Sequence, residues 1–442
     1  MPRKIVIIGA NVDAASSARK TDRDAEITLI TREDKGAYSR CGLPFVIGGH
    51  IPRFEDLIVY PPSYYRMMKL NLKLETEAKK IDVSKRVVEV ESKQGTESIE
   101  FDSLILATGA RPFIPPIKGV DKKGIFTLRT IEDGKSIAKA IETAKSAVVV
   151  GAGFIGLETA VGLVERGVKT TVVELLPYIM PTLFDKDMAD RAMKMLEDRG
   201  LKFIIGKSVD EFLGGERVSS VSVEGEEIPA DLVIVATGVR ANVELAKEAG
   251  IAIGESRGIR VDRRMQTSCE GIYAAGDCAE STCRITGSPI MVHSGTNAAR
   301  QAKVAGINAA GGYAVMEPAL GSAVSKMFDI EVGATGITEY MAKKRGMEVV
   351  SATFASKTRA EYYPGAKPIW VKVIVEREME RIVGVQMIGG EEITQRVNAI
   401  SFGIMKQMTV RDLAKADTCY APPLNQTWEP MVLAAEMALR KL

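Results

Sequence analysis

Short runs of branched apolar residues, each broken by a glycine turn, set the rhythm of this chain. Ala147 to Val150 is apolar throughout and runs into Gly151-Ala152-Gly153-Phe154-Ile155-Gly156; an amphipathic stretch follows, and a second β-branched run, Thr170 to Val173, ends on Glu174. The pattern predicts a buried strand, a tight turn, a helix and a second strand. The amino terminus repeats it: Lys4 to Ile8 predicts a strand, Gly9 a turn, Val12 to Lys20 a short helix and Glu26 to Thr31 a strand. Each unit closes on a further apolar run with the same ending, Leu104-Ile105-Leu106-Ala107-Thr108-Gly109-Ala110-Arg111 in one and Leu232-Val233-Ile234-Val235-Ala236-Thr237-Gly238-Val239-Arg240 in the other. The chain therefore carries two similar modules.

Around these modules, Leu72 to Phe101 predicts a small β-meander, and the proline-rich Phe113 to Ile117 marks a domain crossing. Helices are predicted over Ile131 to Ala144 and Asp185 to Arg199, and a hairpin over Arg217 to Ile228 about Glu224-Gly225. A strand from Gly271 ends in Gly276-Asp277 and precedes a helix from Thr296 to Asn308. From Ser322 the texture changes to β-rich runs, Ile369 to Val375 and Ile382 to Ile388, then helices over Glu391 to Met405 and Trp428 to Lys441. A chain of 442 residues is too long for one core. The expected division is 1–115 and 246–320 for the two parts of the first module, 116–245 for the second, and 321–442 for a closing domain.

The glycines carry chemistry. In the second module Gly151 makes the turn out of the strand, Gly153 lets backbone approach a pyrophosphate, and Gly156 lets the helix sit close on the strand, with the helix N-terminus aimed at the phosphates. Glu174, roughly 20 residues on, is placed to accept hydrogen bonds from ribose hydroxyls. No Arg or Lys follows it at once, which favours NADH over NADPH. The first module is eroded: Gly9-Ala10-Asn11-Val12-Asp13-Ala14 has Asn for the second glycine and Ala for the third. Ala is tolerable there and Asn less so, although Asn can occupy a left-handed conformation. Its second strand ends on Thr31, leaving Glu33 or Asp34 to reach a ribose.

Composition narrows the classes. Hydrophobic content of 46% with 26% charged residues is that of an ordinary globular protein, and a net charge of +2 leaves no electrostatic footprint for nucleic acid or an anionic membrane. No stretch approaches the roughly 20 apolar residues that span a bilayer, so a cytoplasmic protein is expected. Five scattered cysteines make neither a disulfide framework nor a CxxC metal site, and His50 and His293 are the only histidines. Cysteine chemistry here is therefore redox or nucleophilic. In Ala37-Tyr38-Ser39-Arg40-Cys41-Gly42-Leu43-Pro44-Phe45, Arg40 and a helix start at Pro44 would both favour the Cys41 thiolate; the alternative is a small buried cysteine.

Taken together, Ser39 to Phe45, Ala107-Thr108-Gly109, Gly151 to Glu158, the second Ala-Thr-Gly, Gly276-Asp277 and Tyr420-Ala421-Pro422-Pro423 resemble the flavin-dependent pyridine nucleotide-disulfide oxidoreductases. The likeness covers nearly the whole chain and is to the single-cysteine branch of coenzyme A disulfide reductases, NADH oxidases and NADH peroxidases. It implies an α/β fold of two Rossmann-like, glutathione-reductase-like nucleotide-binding domains and an α+β carboxyl-terminal dimerisation domain, hence a homodimer. It implies FAD on Gly9, Asn11, Glu33, Arg40, Ala107, Thr108, Gly109, Arg129, Gly276, Asp277 and Ala298. NADH, with NADPH as the lesser candidate, is expected on Gly151, Gly153, Phe154, Ile155, Gly156, Glu158, Glu174 and Gly238.

Cys41 matches the redox-active cysteine of that branch. Dithiol relatives carry a partner five residues on, where this chain has Val46, so the oxidised state is expected to be a mixed disulfide, a persulfide or a sulfenic acid. Cys278 and Cys283 have the gap of a dithiol pair but follow the Gly-Asp motif and are read as structural. Tyr420 and Tyr362 are expected to reach over from the other subunit and protonate a leaving thiolate. The substrate implied is a small disulfide or persulfide, coenzyme A disulfide or polysulfide, with oxygen as the alternative. Oxygen- and peroxide-reducing members often place a histidine in the first glycine turn, and this chain has none there, which tilts the reading toward sulfur.

Overall fold

The computed structural model describes residues 1–442 and is built on three five-stranded sheets. Two are wholly parallel. In the first the order is Ile272–Ala274, Ser103–Leu106, Lys4–Ile8, Glu26–Ile30, Leu70–Lys73. In the second it is Ile125–Phe126, Leu232–Val235, Ser146–Val150, Lys169–Glu174, Lys202–Ile205. The inner strands are buried residue after residue, as continuous apolar runs must be when both faces of a sheet are covered. The orders match position for position, except that the edge strand comes late in the chain for the first sheet and early for the second. Each unit also carries a three-stranded antiparallel sheet: Thr76–Asp82, Val87–Ser92 and Gly95–Glu100 in one, Val209–Leu213, Ser220–Val223 and Glu226–Pro229 in the other.

The repeated Ala-Thr-Gly endings explain the turn glycines. Gly9 has φ +122°, and a Cβ there would lie 2.2 Å from the carbonyl oxygen of Ala107; Gly151 has φ +108°, and its Cβ would meet the Ala236 oxygen at 2.5 Å. Both positions exclude any side chain for two independent reasons. Beyond the turns the two endings pair with each other: Ala110–Pro112 and Val239–Ala241 form an antiparallel ribbon, Thr108 Oγ1 donates to Asn242 O at 2.7 Å, and Thr237 Oγ1 donates to Phe113 O at 2.6 Å.

The third sheet is antiparallel, in the order Ala323–Met327, Ile330–Gly336, Ile382–Gly389, Pro368–Glu376, Val349–Lys357. Helices Ile393–Met405 and Pro430–Leu439 pack on it, and Met327, Ile330, Val332, Ala334 and Ile388 join the hydrophobic core of the second unit. Three of its strands were not among the sequence expectations. Ile330–Gly336 reads Ile-Glu-Val-Gly-Ala-Thr-Gly, and a strand with two glycines lacks the branched pattern that marks one.

The short helix Leu43–Ile47 belongs by sequence to the first unit, yet Leu43, Val46 and Ile47 are buried in the core of the second. They lie against helix Phe154–Glu165, close enough that a Cβ at Gly162 would be 3.1 Å from Gly48 Cα and 3.2 Å from Pro44 O. Cys41, just ahead of that helix, therefore stands at the seam between the units.

Candidate functional site

Strand Ser146–Val150 delivers Gly151 into the turn and helix Phe154–Glu165 starts immediately after Gly153. Gly153 is the N-cap, with extended backbone, no side-chain hydrogen bond to the helix, and open space where a Cβ would stand. The first amides of this helix thus face a cradle that only an outside acceptor can fill, which fits a pyrophosphate. A Cβ on Gly156 would fall 2.1 Å from Gly151 O, so the helix lies as close to the turn as expected. Phe154 is half-buried and Ile155 exposed. Gly238, at φ +101°, also borders open space. Glu174 is buried and already engaged: Oε2 accepts from Ala152 N at 2.7 Å and Oε1 from Leu176 N at 2.8 Å. It holds the turn.

The first unit differs at the homologous point. Asn11 does not use the left-handed conformation open to it; its φ is −87° and ψ 93°, and its Oδ1 accepts from Ala14 N at 3.0 Å. The residue that replaces a glycine caps helix Val12–Thr21 from within the chain. Ala14 is fully buried against helix Gly295–Ala309, where a Cβ at Gly306 would meet Ala14 O at 2.2 Å. At the carboxyl end of strand Glu26–Ile30 an open cleft of about 270 Å³ is lined by Glu33, Asp34, Lys35 and Glu132, among others. The ends of parallel strands are where such folds take ligands.

Arg40 was expected to be the cation beside Cys41, and it is not. Its Nη2 donates to Glu33 Oε1 at 2.5 Å and its Nη1 to Tyr38 Oη at 2.7 Å and Arg129 O at 2.9 Å, while Tyr38 Oη donates to Glu33 Oε2 at 2.6 Å. Side chains at consecutive positions of a tight turn diverge, and Arg40 follows the nearer carboxylate. The cation whose charge the thiol feels is Arg129. Its Nη2 donates to Asp277 Oδ2 at 3.0 Å and lies 3.3 Å from where a Cβ on Gly109 would stand, so Ala107-Thr108-Gly109, Arg129 and Asp277 form one cluster. Gly276, at φ +86°, extends it to Ala298, whose Cβ is 3.6 Å from a Cβ placed on Gly276.

Cys41 opens to solvent on one side and is crowded by protein on the others. Burial raises its thiol, the Glu158 and Asp277 charges raise it further, and Arg129 opposes them. The expected thiolate preference is therefore reversed in the protein without its cofactors. The helix after Cys41 begins with Pro44 in its first turn but has only five residues, too short to offset burial and the two carboxylates. Glu158 is itself pushed up to about 6 by burial, against a 2.5 Å hydrogen bond from Ser325 Oγ.

Several groups at the site had no sequence expectation. Gln301 is fully buried; its Oε1 accepts from Gly276 N at 2.9 Å and its Nε2 donates to Glu280 O and Ser281 Oγ. The available signal was Asn297 and Gln301, two amides one turn apart on the buried face of an alanine-rich helix. His293 lies close enough to Asp277 and Arg129 to feel both charges, and burial lowers its imidazole. Ser325 comes from the third sheet. Cys278 is fully buried, its Sγ donating to Leu106 O and Ala275 O, and Cys283 is also buried and free.

Tyr362 and Tyr420 come together although 58 residues apart, their hydroxyls 2.8 Å from each other. Both are exposed, and the bond raises the Tyr362 phenol above its ordinary value. Each hydroxyl has the other as its hydrogen-bond partner within the chain; neither bonds to the Cys41 cluster.

Known proteins resemble this chain over nearly its whole length. A family model for pyridine nucleotide-disulphide oxidoreductases matches residues 3–307 and its dimerisation-domain companion residues 322–432. The chain is 45% identical over 447 aligned positions to an NADH oxidase of Methanocaldococcus jannaschii, covering 99% of each, and 36% identical to a CoA-dependent NAD(P)H sulfur oxidoreductase of Pyrococcus abyssi, covering 98% of each. It superposes with TM-score 0.97 on an NAD-dependent persulfide reductase from A. fulgidus, at 36% identity over 99% of this chain and 83% of that one. The chain belongs to the pyridine nucleotide-disulphide oxidoreductases, as an FAD-dependent member of the branch that includes NADH oxidases, coenzyme A disulfide reductases and persulfide reductases.

Proposed function

We propose that this protein reduces a disulfide or persulfide of coenzyme A, or polysulfide, at the single sulfur of Cys41. In this reading residues 1–115 and 246–320 hold FAD, 116–245 hold NADH, and 321–442 join two copies into a cytoplasmic homodimer. When bound, NADH and FAD supply a two-electron reduction. The chain supplies the rest: the open amides after Gly153 take the pyrophosphate of the nucleotide, Glu174 keeps their turn in shape, and Phe154, Ile155 and Glu158 border the nicotinamide side. Arg129, Asp277 and Ala298 flank the flavin side.

Cys41 thiolate attacks one sulfur of coenzyme A disulfide, forming a mixed disulfide and expelling one coenzyme A thiolate, which takes a proton from the Tyr362–Tyr420 pair of the other subunit. Two electrons then cleave the mixed disulfide, returning Cys41 thiolate and the second coenzyme A. Because the thiol is raised by burial and by Glu158, the attack is expected to quicken as pH rises from neutral into the alkaline range.

The observation that carries this reading is one accessible sulfur at the seam of two nucleotide-binding units while Cys278 and Cys283 lie buried. The test is anaerobic NADH titration of flavin absorbance followed by coenzyme A disulfide, sulfur or air, for the wild type and Cys41→Ser. Flavin should bleach in both, and Cys41→Ser should lose about 1,000-fold or more of turnover with sulfur acceptors. Equal rates with every acceptor would remove the thiol mechanism.

Oxygen reduction through a Cys41 sulfenic acid is the second reading. It is favoured by the 45% identity to an NADH oxidase and by His293, which brings to the Asp277–Arg129 cluster the histidine that the first turn lacks. Oxygen consumption measured against thiol release separates the two.

A further inference from the structure

The tyrosines sit on two exposed loops that meet one buried cation. Arg396, on helix Ile393–Met405, is only 6% exposed. Its Nε donates to Glu429 Oε1 at 2.7 Å and its Nη2 to Glu429 Oε2 at 3.3 Å, a two-point pairing with a carboxylate that is 3% exposed. The same Nη2 donates to Asn425 Oδ1 at 3.1 Å and reaches Thr358 O at 3.5 Å. Asn425 Nδ2 donates to Glu429 Oε2 at 2.6 Å and to Cys419 O at 3.4 Å, next to Tyr420. Thr358 closes the other loop, its N donating to Lys367 O at 2.8 Å across the segment that carries Tyr362.

A buried ion pair is a poor way to gain stability, because desolvating both charges offsets most of their attraction. Its directional donors, by contrast, fix geometry well: one planar guanidinium addresses both loops at once. We propose that the Arg396–Glu429–Asn425 cluster is a positioning device that holds the two tyrosine-bearing loops in register, so that Tyr362 and Tyr420 are presented as one proton-donating unit. This rests on the reading that the tyrosines serve the leaving thiolate. Arg396 and Asn425 are positioning residues; neither need touch substrate.

The test uses FAD-loaded protein, with coenzyme A disulfide as acceptor. Arg396→Lys keeps the charge but loses the fork and risks misfolding, so Asn425→Ala, which leaves the Arg396–Glu429 pair intact, is the second variant. Both should retain wild-type rates of flavin bleaching by NADH, while turnover with coenzyme A disulfide falls about tenfold or more. Hydrogen exchange should quicken over 358–367 and 417–427 and stay unchanged elsewhere. Adding Asn425→Ala to Tyr420→Phe should cost little more than Tyr420→Phe alone, since both remove one function. Unchanged exchange and turnover in Asn425→Ala would overturn the proposal, and so would fully additive losses. Loosened loops with turnover unchanged in both Asn425→Ala and Tyr420→Phe would instead overturn the proton-donating role and leave the positioning claim standing.

Discussion

The two nucleotide-binding units share strand order, a first glycine held against an Ala-Thr-Gly turn, and a small antiparallel sheet, but their helices begin differently. The second helix begins at a bare glycine, and its first amides are left for an acceptor from outside. The first is capped by its own Asn11. A helix N-terminus can be stabilised by the chain or by the ligand, and these units divide the two solutions between them. A pre-capped turn folds well without its nucleotide but has one fewer free donor to offer it. In the proposed reading, more of the flavin's binding then falls to the Arg129–Asp277 cluster and helix Gly295–Ala309.

The shared part of the comparison is the easiest to break. Gly9→Ala and Gly151→Ala should each destabilise by about 3 kcal/mol or more, because each puts a Cβ against a carbonyl at positive φ; chemical denaturation that found either variant near wild type would deny the equivalence. The divergent part is probed by exchange. Gly153→Asn gives the second turn the residue of the first: isothermal titration should show NADH affinity falling about tenfold to a hundredfold, roughly 1.4 to 2.8 kcal/mol, while the melting point holds or rises slightly.

Glu158 stands between the units and titrates where the comparison can be read. Its pKa is raised from 4.5 to about 6, so the native state holds more protons than the unfolded chain between those values and loses stability as pH rises through them. Glu158→Gln should therefore stabilise the flavin-free protein by about 2 kcal/mol above pH 6 and by little below pH 4.5. It should also speed alkylation of Cys41 at neutral pH, since it removes a charge that raises the thiol. The smallest effect belongs to the cap: Asn11→Ala should cost about 1 kcal/mol, measured by thermal melting, with no change in NADH binding.

Legibility in the sequence followed the same division. Apolar runs and glycine turns located the inner strands of both parallel sheets and the helices behind them, because a buried parallel strand and a strand-to-helix turn leave few residue choices; the edge strands Leu70–Lys73, Ile125–Phe126 and Lys202–Ile205 were missed, being short and only partly apolar. The third sheet was only half visible, since the glycine-interrupted strand Ile330–Gly336 resembles loop. Side-chain partners were the least visible. Arg40 looked like the activator of Cys41 because it is adjacent in sequence, but Glu33 claims it; Arg129, 88 positions from Cys41 by numbering, is the cation the thiol feels. The tyrosine pair could be named from a motif, but not Arg396 beneath it, since nothing in a run of residues announces which arginine will be enclosed.

The strand Ile272–Ala274 returns from far along the chain to complete the first sheet. On a ribosome, which releases the amino terminus first, the leading unit must wait with an uncovered edge until the trailing one has emerged, whereas the main sheet of the later unit arrives as one continuous stretch. The module synthesised first is thus the one finished last, and a pause in translation after about residue 245 would expose its open edge at Ser103–Leu106 to aggregation.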